Sequence, residues 1–356
     1  MARTRIAVVG AGLIGRAHVA ALAQSPTCAL AAIADPADGA AALAATGGVP
    51  HRATLAELLA RDRPDGVVLA TPNALHVAQA LECLAEGVAV LVEKPVAADL
   101  ASARALEAAA GPRPRILVGH HRAHSALMAK AREIVASGRL GRLVAVTGSA
   151  MFMKPDGYFE AGPWRREAGG GPILINLIHE VHNLRMLMGE IVAVQATASH
   201  VVRGFAVEDT AAISFTFASG ALGSFLLSDT AASPLSWELT SHENPAYPHQ
   251  DDFDCYVVAG TRGSLAIPTM RLTTYAREED RSWWKPFERS IAAIEAADPI
   301  VRQMEHFGAV VRGEAAPLVT LADGIANLAV TDAVASAARS GATVRLDSCN
   351  TTQGNP

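Results

Sequence analysis

Two clusters of residues in this chain combine type and spacing in a way that chemistry can use. The first is Gly10-x-Gly12-x-x-Gly15, which follows the apolar run Ile6–Val9 and precedes a helical pattern from Arg16 to Leu22. Strand, glycine turn and helix in that order make the setting in which a dinucleotide is bound. Gly10 has no Cβ to oppose a sharp turn. Gly12 lets main-chain N–H groups approach a pyrophosphate, and Gly15 lets the helix close on its strand. The helix N-terminus adds unpaired donors and a positive dipole end. Gly10, Gly12, Leu13, Ile14 and Gly15 are therefore expected to contact the cofactor. A second apolar run, Ala29–Ala34, ends in Asp35, twenty residues beyond Gly15. An acid there accepts both ribose hydroxyls and repels a 2′-phosphate. The following Pro36-Ala37-Asp38 contains no Arg or Lys to hold one. The expected cofactor is NAD rather than NADP.

The second cluster is Trp164-Arg-Arg-Glu-Ala-Gly-Gly-Gly-Pro-Ile-Leu-Ile-Asn176-Leu-Ile-His179-Glu-Val-His182-Asn-Leu-Arg185. Three glycines break the chain, and Pro172 suits a first helical position. The helix that follows is apolar nearly all round, so it should be buried. Asn176, His179 and His182 stand three apart and form one polar stripe on it. Such a stripe needs partners or a cavity. The groups could satisfy one another, but their register behind a glycine hinge favours a substrate pocket. Two histidines lack a third metal ligand of recognisable spacing, so no metal is expected.

Other strand ends add to the list. Ala70-Thr71-Pro72-Asn73, with His76 beyond, and Glu93-Lys94-Pro95 each follow an apolar run. Thr71, Pro72, Asn73, His76, Glu93 and Lys94 are expected at the same crevice, although Asn73 would also serve as a helix cap. An acid-Lys-Pro turn ending a buried strand should carry its amine over the sheet edge, toward a nicotinamide. His121, Arg122, Lys154, Tyr158 and Arg165 are further substrate-contact candidates, set against the plain alternative of solvated loops. The polar segment His242–Asp252 could be a lid or arm, and Trp283-Trp284 should be packing. The cations Lys154, Arg122 and Arg165 leave a carboxylated substrate open.

The elements that must position these groups fall into two patterns. Up to about residue 120, short apolar runs (Arg5–Val9, Ala29–Ala34, Gly66–Ala70, Ala89–Val92, Arg115–Val118) alternate with helical stretches, of which Thr54–Ala60 opens with a capping-box pattern. That alternation predicts a doubly wound parallel sheet, with ligands at the strands' carboxyl ends. After a helix over Ser125–Ser137, longer alternating strands are expected at Leu143–Ala150, Ile191–His200, Thr210–Ala218, Ala221–Asp229, Ser236–Ser241, Asp254–Ala259 and Gly263–Ile267. Ser219-Gly220 reads as a hairpin turn. The fold class is α/β: a doubly wound parallel sheet over residues 1–122, then an α+β domain over 123–346 with a large, mostly antiparallel open sheet and helices on one face. The polar tail, 347–356, is expected to be disordered.

Composition bounds the function. The 356 residues exceed one ordinary core, which fits two domains. Half the residues are hydrophobic and 18% are charged, as in a globular enzyme. A net charge of −5 and the lack of a basic run exclude an electrostatic footprint for nucleic acid. Cys28, Cys83, Cys255 and Cys349 share no C-x-x-C spacing and read as free thiols. No apolar run approaches a membrane span, and the chain enters its first strand at once, so a cytoplasmic location is expected.

The glycine turn, Ala70-Thr-Pro-Asn73, Glu93-Lys94-Pro95, Gly119-His-His-Arg122 and Trp164-Arg…Gly-Gly-Gly…Asn176…His179 together resemble the glucose-fructose oxidoreductase / inositol dehydrogenase / MocA family over almost the whole chain. The resemblance implies an N-terminal Rossmann domain and a C-terminal substrate domain whose open sheet forms homodimers or homotetramers. It implies nicotinamide-dependent oxidation of a ring hydroxyl in a sugar, cyclitol or related diol. By the same resemblance Lys94 holds the hydroxyl, His179 is the general base, Asn176 orients substrate or imidazole, and Lys94–Pro95 is a bond often cis. The chain departs from the pattern twice: Ile175 stands where the inositol-dehydrogenase branch has Asp, and His182 where the family often has Asp. Two alternatives remain at this stage, a dehydrogenase of a carboxylated cyclic dihydrodiol and a non-catalytic NAD-binding sensor or scaffold.

Overall fold

The computed structural model describes residues 2–346, and the tail expected over 347–356 lies outside them. Contacts divide the described residues into two compact units, 2–125 with 297–328, and 126–296 with 329–346.

The first unit is built on six parallel strands: β1 (Thr4–Val9), β2 (Cys28–Ala34), β3 (His51–Arg52), β4 (Gly66–Leu69), β5 (Ala89–Glu93) and β6 (Ile116–Gly119). Their order, β3-β2-β1-β4-β5-β6, reverses direction between β1 and β4, which creates the crevice at the carboxyl ends. Both faces of this sheet are covered, so β4 and β5 are buried along their whole length. Thr54 caps the helix Leu55–Asp62 by accepting from the Glu57 N–H at 3.2 Å. The Glu57 carboxylate reaches back to the Ala53 N–H instead of that of Thr54.

Residues 297–328, which the sequence reading places in the second domain, pack with the first unit. The helix Pro299–Val311 starts at Asp298, whose carboxylate accepts from the N–H groups of Ile300 and Val301. It buries Met304, Phe307 and Val310. Gly308 lets it approach β2 so closely that a Cβ there would lie 2.3 Å from the Cys28 sulfur.

The second unit holds a nine-stranded sheet of β7 (Leu143–Met151), β8 (Ile191–Ser199), β9 (Thr210–Phe217), β10 (Leu222–Ser228), β11 (Tyr256–Gly260), β12 (Gly263–Ile267), β13 (Arg271–Thr274), β14 (Glu288–Ile291) and β15 (Val344–Arg345). The order is β14-β13-β12-β11-β7-β10-β9-β8-β15. Only the β7–β10 pair is parallel among the described strands. One face packs Val146, Phe215, Phe225 and Tyr256 against Leu127, Val181, Leu184 and Val334. The other face carries Leu222, Leu226 and Val257 exposed among polar neighbours.

Two expected elements differ. Residues 236–241 form no strand: Ser236 caps a single helical turn, Trp237–Thr240, through the Leu239 N–H. The strand expected from Asp254 is assigned from Tyr256, although Cys255 already exchanges main-chain hydrogen bonds with Ser149 and Ile267. Trp283 and Trp284 meet edge-on at 5.4 Å but are 86% and 82% exposed, so they are not core packing. No helix among the described residues is long and apolar enough to cross a membrane.

Candidate active site

In the first unit, β1 delivers the chain to Gly10 at φ +95°, where a Cβ would lie 2.5 Å from the Ala70 carbonyl oxygen. Gly15 sits against the same turn, and a Cβ there would come within 1.9 Å of the Gly10 oxygen. Gly12 differs: a Cβ on it would meet nothing within 4 Å. The turn is thus closed on the protein side and open where a pyrophosphate would approach. Leu13 is 89% exposed and Ile14 half-buried at the same helix start. Asp35 lies beside the turn. Its Oδ2 accepts from the Ala11 N–H at 2.6 Å and its Oδ1 from the Ala37 N–H at 2.7 Å. The open cradle and the adjacent carboxylate fit an adenosine dinucleotide without a 2′-phosphate.

The other strand ends of this unit divide into surface and support. Thr71 and Asn73 are half-buried and Pro72 exposed, with Thr71 Oγ1 donating to Gln79 at 2.6 Å. Asn73 opens a short 3-10 turn without capping it. His76 and Glu93, expected among the cofactor contacts, are buried instead. His76 has one ring nitrogen 2.9 Å from the Pro95 carbonyl and the other 2.9 Å from that of Thr71, so it ties two strand-end loops together. Burial pushes its imidazole below the usual range, against those two carbonyls. Glu93 meets His18, which is fully buried, at 2.7 Å. Burial alone would raise the Glu93 carboxyl, but the His18 hydrogen bond and nearby positive charge hold it low. Lys94 follows, half-buried, with its N–H donating to Glu93 at 3.2 Å and a cis bond to Pro95. His121 is pushed down to about 3 by burial and by the charge of Arg122, which is itself buried.

In the second unit, the glycine run leads through Pro172 into a π-helical turn, Ile173–Leu177, and then the helix Ile178–Met188. One continuous α-helix was the expectation; π turns of this kind recur at functional sites. Glu208 accepts from the Ile173 N–H at 2.8 Å and lies where a Cβ on Gly171 would sit. Burial raises its carboxyl. The helix is buried as expected, and Asn176, His179 and His182 are 9%, 7% and 4% exposed. Glu180 and Asn183, on another side, both reach the Tyr256 hydroxyl.

Lys154 joins this stripe. Its Nζ donates to Asn176 Oδ1 at 2.6 Å and lies 3.6 Å from Asp229. Arg203 grips Asp229 at 2.8 Å and donates to the Lys154 carbonyl at 2.9 Å. The Lys154 ammonium also stands 4.9 Å above the Tyr158 ring, with the Arg165 guanidinium 3.9 Å from it. Burial raises the Tyr158 hydroxyl against that arginine. The sequence reading missed Asp229, Arg203, Glu208 and His18. Each acts through a partner distant in the chain, and no local motif marks it. In the segment 242–252, His242 is bound to Asp251 at 2.7 Å and stacked on His249, and Glu243 and Gln250 bond back to Trp237 and Leu239.

Comparison with known proteins finds the same family for both parts of the chain. Residues 4–120 match the model of an oxidoreductase family with an NAD-binding Rossmann fold, and residues 128–266 match the GFO/IDH/MocA C-terminal domain. The chain is 32% identical to the 1,5-anhydro-D-fructose reductase of Ensifer adhaerens, over 62% of this chain and 68% of that one. It is 28% identical to the inositol 2-dehydrogenase of Rubrobacter xylanophilus, over 97% of this chain and 94% of that one. Among solved structures it is similar to the WlbA dehydrogenase of Bordetella pertussis in complex with NADH and UDP-GlcNAcA, with a TM-score of 0.77, 25% identity, and 97% and 99% of the two chains covered.

Proposed function

This chain belongs to the GFO/IDH/MocA oxidoreductase family, and from that premise we propose that it oxidises a ring hydroxyl of a sugar, cyclitol or related cyclic polyol, with NAD preferred over NADP. The observation that carries the reading is the polar stripe of Asn176, His179 and His182 on a buried helix whose other polar residues, Glu180, Asn183 and Arg185, bond to Tyr256 and Glu190, in a chain whose glycine turn is open only at Gly12.

Oxidation of a carbinol removes a hydride from carbon and a proton from oxygen. NAD, when bound, supplies the hydride acceptor. His179 takes the hydroxyl proton, since histidine is the side chain suited to proton exchange near neutral pH. The Lys94 ammonium holds the hydroxyl and stabilises the charge that develops on its oxygen. Glu93 and His76 act beneath Lys94: one bears on its main chain, and the other binds the carbonyl of Pro95. Of the three cations that would receive a substrate carboxylate, Lys154 is engaged with Asn176 and Asp229, Arg165 with Tyr158, and Arg122 is buried. That favours a neutral polyol over a carboxylated dihydrodiol.

The exposed Leu222, Leu226 and Val257 lie on the uncovered face of the second sheet, and a second copy of the chain is the occupant this reading gives them. Light scattering across a concentration series tests it, and a monomer throughout counts against it. The activity is tested by following NADH absorbance with NAD and a panel of sugars, cyclitols and carboxylated dihydrodiols. Silence across the panel points to an NAD-binding sensor. Turnover that is indifferent to removal of NAD would refute the dehydrogenase reading.

A further inference from the structure

The Lys154–Asn176 contact fixes more than a distance. An ammonium has three donors and no acceptor. The atom of Asn176 that faces it at 2.6 Å must therefore be the amide oxygen. The usual ambiguity between the two ends of an asparagine amide does not arise here. The Nδ2 end is turned the other way, and no described residue accepts from it. The residue keeps 9% of its surface exposed. Asn176 is one helical step from His179, on a helix where the Glu180 carboxylate and the Asn183 Nδ2 both turn to the Tyr256 hydroxyl.

Lys154 is itself held from behind. Asp229 lies 3.6 Å from its ammonium, Arg203 binds both Asp229 and the Lys154 carbonyl, and the Phe152 and Tyr158 rings flank the charge. Such a side chain cannot swing away without leaving a buried carboxylate less well matched. The amide of Asn176 is thus held with its donors outward.

We infer that Lys154 is a positioning residue that makes Asn176 a one-way N–H donor, and that Asn176 donates to a substrate oxygen adjacent to the hydroxyl His179 deprotonates. This deepens the proposed function and rests on it for the role of His179. It narrows the substrate class to rings with vicinal oxygens, one giving its proton to the imidazole and its neighbour accepting from the amide. It also gives a physical sense to Ile175 standing where the resemblance has an acid: a carboxylate there would accept from a substrate hydroxyl, whereas the locked amide of Asn176, one place on, gives to it.

The test is a binding cycle by calorimetry on the NADH-loaded protein, with D-glucose, myo-inositol and their mono-deoxy analogues as probes. In the wild type, at least one deoxy analogue binds about tenfold more weakly than its parent, the loss expected for one hydrogen bond in a mostly buried site. In Asn176→Leu that analogue and its parent bind alike. In Lys154→Gln, where the amide is free to turn, the difference shrinks to about threefold or less. Lys154→Arg, which keeps the charge beside Asp229, retains it and guards against a folding defect in the glutamine variant. Equal losses for every analogue in wild type and Asn176→Leu overturn the inference, as does failure of the wild type to bind any parent ring. Binding with the predicted pattern but no NAD reduction would sink the dehydrogenase reading and leave the donor assignment standing.

Discussion

His18 and Glu93 meet at 2.7 Å, imidazole Nε2 to carboxylate Oε1, with side chains 0% and 5% exposed. The pair ties the helix after the glycine turn to the end of β5, the strand that carries Lys94. Removing His18 leaves a buried carboxylate without its partner, a loss of about 3–5 kcal/mol in such settings. His18→Leu should therefore melt well below wild type at neutral pH. The pH dependence has a definite sign. His18 holds the Glu93 carboxyl below its ordinary value of 4.5, so this stabilisation is present above that value and is lost as pH falls through the folded one. Denaturant melts from pH 7 to 3 should show the gap between the two proteins narrowing below about 4.5. A gap constant with pH would show that packing, not the carboxylate, is what His18 supplies.

Gly12 and Gly15 should separate binding from folding. A Cβ at position 15 would lie 1.9 Å from a main-chain oxygen, whereas one at position 12 meets nothing within 4 Å. Gly15→Ala should lower stability by about 2 kcal/mol or more through forced backbone movement. Gly12→Ala should fold like wild type, to within about 0.5 kcal/mol, yet lose NAD affinity at least tenfold because the methyl takes the pyrophosphate's space. Thermal melts and quenching of NADH fluorescence read the two effects apart.

Asp35 has a double task. It accepts from the Ala11 and Ala37 N–H groups and so shapes the turn, and its half-buried carboxylate is the group this reading assigns to the ribose. Asp35→Asn keeps an acceptor but removes the charge. NAD affinity should fall by about 1–2 kcal/mol, while NADP affinity stays level or rises. Dissociation constants for both cofactors check this, and an unchanged ratio would mean that another group reads the ribose.

His121 should be silent in the pH profile of the reaction. Burial and the Arg122 charge push it down to about 3, so it stays neutral through the working range. Its folded value lies below its unfolded one, so the stability linked to it is present above about 6.5 and is lost as pH falls toward 3. His121→Gln should leave the pH dependence of kcat/KM unmoved above pH 5. The variant should also be less sensitive to acid than wild type between those limits. Movement of the profile's neutral limb in His121→Gln would place His121 in the proton path.

How much of this could be read from the chain depends on whether the controlling contact is local. Gly10, Gly12, Gly15 and Asp35 obey backbone and spacing rules within one strand–turn–helix unit, so their sequence states their geometry. The strands β4, β5 and β6 are buried on both faces, and their apolar runs mark them, whereas β3 is the half-buried pair His51–Arg52, which no apolar run announces. Lys154, Asp229 and Arg203 come from three separate segments, and nothing near any of them announces the other two. The helix Pro299–Val311 is amphipathic in the ordinary way, but periodicity does not say which sheet an apolar face will cover. It packs on the first sheet and on the helix Leu13–Gln24, and Gly308 allows the close approach to β2. His76 and Glu93 stand in the right motifs for cofactor contact, but their motifs do not reveal that each is buried and bound to protein groups.

His179 carries the sharpest expectation. It lies 7% exposed on a buried helix, between Asn176 and His182 in the polar stripe, while the NAD cradle is built wholly from residues of the other unit. A base that acts only on substrate should be separable from cofactor binding. His179→Ala should lower kcat by about 10²–10⁴, the range for loss of a positioned proton acceptor, with the NAD dissociation constant within about twofold of wild type. The distinction from a structural role lies in two further measurements. The neutral limb of the kcat/KM profile should vanish with the imidazole, since hydroxide then becomes the acceptor and the rate climbs with pH. Added imidazole should restore part of the turnover in His179→Ala, because the cavity left by the side chain admits it, and should not do so in His179→Phe. A variant that loses NAD affinity in parallel with turnover, or that keeps the wild-type pH profile at reduced rate, would show that His179 supports the site without taking the proton.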